Sequence, residues 1–121
     1  MHDPFAFSPP EGALQPSEVR FNELRVEQWP DGQRVRVHVG ITPFQQRPDL
    51  EATIYDPAGK EIANTLIIET LEDRLVFTMH LHPDSPGQEL TLKAVLSYQD
   101  IGTVDEGKVS FSTHPNSPKP D

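Results

Sequence analysis

Three histidines are the residues of this chain whose types and spacing best fit a chemical site. His80 and His82 lie two positions apart, so on a β-strand both side chains leave the same face. His38 lies in a second alternating segment, which we expect to pair with the first and to bring a third imidazole to that face. Three neutral imidazoles can bind Zn²⁺, Cu²⁺ or Ni²⁺. The alternative is that three polar residues occupy solvent-facing positions, and the strand register decides between the two.

Catalytic motifs are missing from the sequence. It contains no Gly-x-Ser-x-Gly turn, no glycine-rich phosphate loop and no His-Glu-x-x-His segment. The adjacent carboxylates Glu72-Asp73 and Asp105-Glu106 lie in turn-like, solvated segments, which do not favour acid–base catalysis. The absence of cysteine excludes thiol nucleophiles, disulfides and thiolate metal sites. We therefore predict that the protein is not an enzyme and that it has no cofactor.

The charge balance excludes a further group of functions. The 121 residues include 10 Lys and Arg and 19 Asp and Glu, which gives a formal net charge of −9. Nucleic acids and anionic membranes are bound through basic clusters, and this sequence has none, so we predict no nucleic-acid or membrane partner. The first residues lack the basic and apolar segments of a signal peptide, which predicts a cytoplasmic protein if Met1 is the native start.

The elements that would position these residues alternate apolar and polar side chains with a period of two. In the clearest segment, residues 34–41, three valines and Ile41 point one way while Arg34, Arg36 and His38 point the other. This pattern is typical of a strand with one buried and one solvated face. Seven such segments, separated by Pro, Gly and Asp, predict an all-β, seven-stranded antiparallel sandwich. The expected strands are 17–27, 34–41, 50–55, 62–69, 75–82, 90–98 and 109–111.

Two strands carry irregular patterns. In the first, Val19 and Phe21 share a face but Leu24 and Val26 follow in the other register, which requires a bulge or a switch between sheets. In the fourth, three apolar residues run consecutively at 66–68, so its inward face stays ambiguous. Local sequence therefore predicts both strands but not their pairing.

The distribution of proline predicts the domain boundaries. Seven of the 13 prolines lie in the first 16 and last nine residues, which favours extended or disordered tails at 1–16 and 114–121 around a sandwich at 17–113. Phe5 and Phe7 in the first tail could dock on the domain, pair with a sheet edge of another molecule or act as a short linear motif.

Two segments resemble known families. Residues 52–62, with the turn Asp56-Pro57-Ala58-Gly59, and Pro86-Gly87 followed by the alternating Leu90, Leu92 and Ala94 are similar to bacterial immunoglobulin-like, fibronectin type III and macroglobulin-type domains. The chain lacks their cysteine pair and the tryptophan of the third strand. The resemblance implies an immunoglobulin-like β-sandwich with an adhesion, recognition or spacer role.

One end of such a sandwich is a candidate recognition surface. The connections at 42–49 and 100–107 should lie side by side there, and loops at the ends of sandwiches commonly carry binding residues. Apolar anchors beside acidic residues suit a protein partner, or weakly Ca²⁺. The alternative is that the phenylalanine caps the core. The predicted partner-binding residues are Phe44, Arg47, Asp49, Ile101, Asp105 and Glu106.

We therefore predict a non-enzymatic recognition or structural module that binds a protein partner through end loops or a sheet edge, as a monomer or weak dimer. One alternative is a metal-binding module that uses the three histidines. A second is a carbohydrate-binding module in which Trp29 and Tyr55 would form the stacking platform.

Overall fold

A computed structural model describes residues 8–29, 33–81 and 89–112. Seven strands follow a short 3-10 turn at Pro16–Glu18. They are β1 (Phe21–Gln28), β2 (Arg34–Ile41), β3 (Asp49–Tyr55), β4 (Glu61–Ile67), β5 (Arg74–His80), β6 (Glu89–Tyr98) and β7 (Gly102–Ser112). Within these ranges, no helix is long and apolar enough to cross a membrane.

The strands form two antiparallel sheets, ordered β1-β2-β5 and β4-β3-β6-β7. The predicted all-β sandwich of seven antiparallel strands is thus confirmed. β2 forms the centre of the smaller sheet, and β3 and β6 form the centre of the larger one. All three central strands bury the apolar side of their alternating pattern completely.

The core lies between the two sheets. The central strands supply its fully buried side chains, and each Val, Leu or Ile among them contributes roughly 1.5–3 kcal/mol relative to an exposed position. β1 and β5 contribute mainly half-buried residues such as Leu24 and Phe77. The buried apolar side chains of the central strands are Val35, Val37, Val39, Ile41, Leu50, Ala52, Ile54, Leu90, Leu92, Ala94, Leu96 and Tyr98.

The domain begins earlier than the sequence predicts. Leu14 packs against the core and forms an isolated parallel bridge with Phe44. Its N–H donates to the Pro43 carbonyl at 2.9 Å, and its own carbonyl accepts from the Gln45 N–H at 2.9 Å. The boundary predicted at residue 17 therefore cuts off a segment that covers one end of the sandwich.

The register change predicted in the first strand is a β-bulge between Phe21 and Glu23. Gly40 lies opposite the bulge, and a Cβ atom there would collide with the side chain of Asn22. The bulged backbone is held from the other sheet, because the Phe21 N–H donates to Asp105 Oδ2 at 2.9 Å. The bulge therefore joins the two sheets along the edge formed by β1 and β7.

The predicted connection at 100–107 is mostly strand. β7 begins at Gly102, whose positive φ of 81° completes a tight hairpin after residues 99–101. The sequence predicts a loop for the polar residues that follow Gly102, but their backbones pair with β6. In β4 the ambiguous apolar run is resolved, since Ile67 faces inward while Leu66 and Ile68 are exposed.

Candidate functional site

The strand register separates the two histidines that the structure describes. β2 and β5 are neighbours, as predicted, but His38 lies opposite Val76 and His80 lies opposite Arg34. That offset is four residues, or roughly 13 Å along the strand, so the two imidazoles cannot share one metal ion. His82 lies outside the described residues. Within residues 8–29, 33–81 and 89–112, no three His, Asp or Glu side chains are grouped to hold a metal.

His38 instead contacts a carboxylate of the neighbouring strand. Its Nε2 atom lies 3.0 Å from Glu27 Oε1, and the imidazole side chain is only 18% exposed. This hydrogen bond, helped by the charge of Arg36, lowers the pKa of Glu27 below its ordinary value. The contact joins β1 and β2 on the outer face of the smaller sheet.

Trp29 and Tyr55 do not form a common platform. The Arg34 guanidinium lies 4.0 Å from the centre of the Trp29 ring, and that of Arg36 lies 5.3 Å away. Both arginines point outward from β2, so Trp29 belongs to the outer face of the smaller sheet. Tyr55 lies on the outer face of the larger sheet, opposite Thr91. The sugar-stacking pair predicted from sequence is therefore wrong, because the two rings lie on opposite sides of the sandwich.

The loop end is the end of the sandwich formed by residues 42–48, 68–73 and 99–101. Phe44 is only 2% exposed and belongs to the core, so it caps the sandwich and cannot anchor a partner. Nearby, the Tyr98 hydroxyl donates to the Gln46 carbonyl at 2.8 Å. The predicted proximity of two end connections is correct, but the aromatic residue there is structural.

Arg47 and Asp49 meet at a residue that the sequence did not single out. Glu69 Oε1 accepts from Arg47 Nη2 at 3.1 Å, and the Glu69 N–H donates to Asp49 Oδ1 at 2.8 Å. Glu69 has a positive φ of 49°, a conformation that non-glycine residues seldom adopt. Beside it, the buried Thr70 donates its N–H to the Pro48 carbonyl at 3.0 Å. These bonds fix the β4–β5 connection against the β2–β3 connection.

The other predicted partner-binding residues are dispersed. Ile101 lies at the tip of the β6–β7 hairpin and is half exposed. Asp105 accepts the hydrogen bond from the Phe21 N–H that is described above. Glu106 lies on the outer face of the larger sheet, where its Oε1 is 3.8 Å from Lys93 Nζ. Of these three, only Ile101 presents itself at the loop end.

The loop end carries most of the exposed apolar side chains. Five large hydrophobic residues are well exposed in the described ranges: Leu66 (55%), Ile68 (55%), Leu71 (61%), Val76 (59%) and Ile101 (49%). All but Val76 lie at this end or among the last residues of β4, which lie beside it. Leu71 also lines a depression of about 280 Å³ with Pro10, Phe44 and Asp73. The one sequence signal for this patch was the run at 66–68, which cannot face inward throughout.

Comparison with known proteins relates the chain to others through its fold. No protein-family model matches the sequence, and a search of the curated proteins finds no match. Among solved structures, the chain is similar to β-glucuronidase from Ruminococcus gnavus. The TM-score is 0.55 for the complex with D-glucuronic acid, 0.56 for that with D-glucaro-δ-lactam and 0.53 for the apo enzyme.

The alignments cover 79% of this chain but only 16% of the glucuronidase chain, at 12% identity. A likeness at that identity shows a shared β-sandwich fold. The match spans about a sixth of the length of those chains, so it concerns a domain-sized portion of a glycoside hydrolase.

Proposed function

We propose that this protein is a non-catalytic recognition module that binds a protein partner through the loop end. The observation that carries the proposal concerns the described residues: four of their five exposed large hydrophobic side chains lie at or beside that end. Exposed apolar side chains concentrated at one end of a small acidic domain favour association, because their burial releases ordered water at little cost.

The surroundings of these side chains support the proposal. Ile68 and Leu71 flank Glu69, which is bound to Arg47, while Ile101 follows Asp100 on the adjacent hairpin. β4 and β6 are two strand spacings apart, or about 10 Å, so both sets fit beneath one partner. Apolar side chains within a charged rim are typical of protein interfaces.

The rigidity of the connections also favours binding. The contacts of Glu69, Thr70 and Tyr98 hold the backbone that carries the apolar side chains. A preformed surface loses little conformational entropy on association, so more of the contact energy appears as affinity.

The test compares three forms of the domain as bait in extracts of the source cell: wild type, the double variant Ile68→Asp and Leu71→Asp, and Val76→Asp. Val76 is the matched control, since it is equally exposed but lies on the outer face of the smaller sheet. We expect one set of proteins to bind wild type and Val76→Asp but not the double variant. Thermal melting should show all three folded.

Two results would overturn the proposal. One is retention of every partner by a folded double variant. The other is loss of partners in Val76→Asp alone, which would move the interface to the smaller sheet.

A further inference from the structure

A second surface lies away from the loop end, on the outer face of the larger sheet. It is an open groove of about 540 Å³ where the end of β3, the start of β6 and the end of β7 lie side by side. Its floor is formed by Tyr55, Thr91, Lys93, Lys108 and Ser110. All five project to the same side, because none of them belongs to the inward set of its strand.

Two lysines face each other in this groove. Lys93 lies directly opposite Lys108 on the antiparallel pair β6–β7. The Cβ atoms of directly opposed residues are about 4.5–5.5 Å apart, so like charges at such positions destabilise a sheet. Glu106 lies 3.8 Å from Lys93 and offsets part of this repulsion, but both members of that ion pair are substantially exposed. In a chain with only 10 Lys and Arg residues, a facing pair of lysines creates a local attraction for anions.

The next row of the groove suits a sugar ring. Tyr55 lies opposite Thr91, and Thr91 lies opposite Ser110, so an aromatic ring and two hydroxyls follow one line across three strands. The line covers two strand spacings, or about 10 Å. An aromatic ring offers an apolar face to the C–H side of a sugar, and hydroxyls can both donate and accept hydrogen bonds.

The acidic residues of the groove are placed so that they leave the lysines accessible. Asp56 is committed to its own turn, where Oδ1 accepts the N–H groups of Ala58 at 2.9 Å and Lys60 at 2.8 Å. Glu89 lies opposite Ser112, four residues along β6 from Lys93, or roughly 13 Å. The groove therefore has a polarity, with acceptor oxygens at the strand end and positive charge further in.

We propose that this groove binds an acidic saccharide. The sugar ring lies against Tyr55 and extends along the row toward the Thr91 and Ser110 hydroxyls, and its carboxylate or sulfate points toward Lys93 and Lys108. The row of hydroxyls beside an aromatic ring favours a saccharide over a simple anion, and the lysine pair favours an acidic saccharide over a neutral one. This site shares no residue with the loop end and is independent of it.

The binding test uses the whole chain, labelled with ¹⁵N, and amide shift changes during titration. The probes are a short oligogalacturonate, a short sulfated glycosaminoglycan fragment, a neutral oligosaccharide of similar length, inorganic phosphate and a short polyglutamate peptide. We expect at least one acidic saccharide to shift the amides of Tyr55, Thr91, Lys93 and Lys108. The two acidic probes distinguish a carboxylate from a sulfate ligand. The neutral sugar, phosphate and peptide should bind at least tenfold more weakly.

Three variants assign the contacts. Lys93→Gln with Lys108→Gln should weaken saccharide binding tenfold or more, and Tyr55→Ala should do the same without changing the net charge. Arg25→Gln with Arg74→Gln is the charge-matched control, because both arginines are exposed on the outer face of the smaller sheet and their loss should leave affinity within twofold.

Several results would overturn the inference. Equal binding of the neutral and acidic sugars would remove the role of the lysines. Phosphate that binds as tightly, with no effect of Tyr55→Ala, would indicate a simple anion site, and preferential binding of the peptide would indicate an acidic protein segment. Absence of binding by every probe, or shifts confined to the loop end, would reject the groove altogether.

Discussion

The two ends of the sandwich place an aromatic residue in opposite situations. At the loop end Phe44 is 2% exposed, and its backbone bridges to Leu14. In the groove Tyr55 lies on the outward side of β3, beside hydroxyls and lysines. Both residues lie within or next to turn-forming segments, so sequence composition alone does not separate them. The two rings differ in the strand face on which they lie and in whether another chain segment packs over them.

This contrast shows what makes a surface available for binding. The loop end buries its aromatic ring and fixes its backbone through Glu69, Thr70 and Tyr98, and it exposes aliphatic side chains from the same segments. Among the residues that the structure describes, no aromatic side chain caps the groove, and its polar side chains line an open depression. The first arrangement suits a protein surface and the second suits a small polar ligand.

The largest expected effect tests this contrast directly. Phe44→Ala should lower the free energy of unfolding by about 3–5 kcal/mol, because it opens a cavity at the end of the core. Tyr55→Ala should cost less than about 1 kcal/mol, since that ring lies on the solvated face. Urea denaturation of both variants measures the difference. Similar losses of unfolding free energy in the two variants would show that the two rings are packed to a similar extent.

The fold was predictable because its central strands repeat a local pattern. Residues 34–41 are β2 with the predicted bounds, and every valine faces inward as expected. Period-two alternation needs no information from distant residues, so it identified all seven strands. The boundaries failed where pairing overrides composition, as in β7, whose polar first half is strand because β6 lies beside it.

The candidate site was less predictable because its contacts are long-range. Glu69 is 22 residues from Arg47 and 20 from Asp49, and nothing local indicates that it joins them. The separation of His38 from His80 depends on register, which the alternation leaves free in steps of two. Phe44 is bridged through its backbone to Leu14, which lies in a segment whose prolines suggested a tail.

A smaller effect concerns two adjacent residues that the sequence placed together in a partner surface. Asp105→Ala should cost about 1–3 kcal/mol, because the half-buried Phe21 N–H loses its acceptor at the bulge. Glu106→Ala is the control, since it removes an exposed ion pair worth about 0–1 kcal/mol and leaves the bond to Phe21 in place. Denaturation curves of both variants decide the matter. If the two changes cost the same, the bond to Phe21 does not hold the sheets together.

The smallest effect at neutral pH concerns Tyr98, which ties β6 to the β2–β3 connection. Tyr98→Phe removes the hydroxyl that donates to the Gln46 carbonyl and should cost about 1 kcal/mol. Burial, with a smaller contribution from the charge of Asp100, raises the pKa of Tyr98 from 10.0 to about 12.

The raised pKa predicts a distinctive loss of stability at alkaline pH. Between pH 10 and pH 12 the unfolded chain has released the phenolic proton while the folded chain still holds it. The contribution of the Tyr98 phenol to the free energy of unfolding is therefore fully present below pH 10 and decreases as the pH rises toward 12. Tyr98→Phe should remove this part of the decline, whereas Tyr55→Phe, the same chemical change in the groove, should leave it in place. Thermal melts of the three proteins at pH 8, 10 and 11.5 measure it. Parallel declines in wild type and Tyr98→Phe would show that this hydroxyl does not hold its proton in the fold, and that the loop end is less tightly closed than its hydrogen bonds indicate.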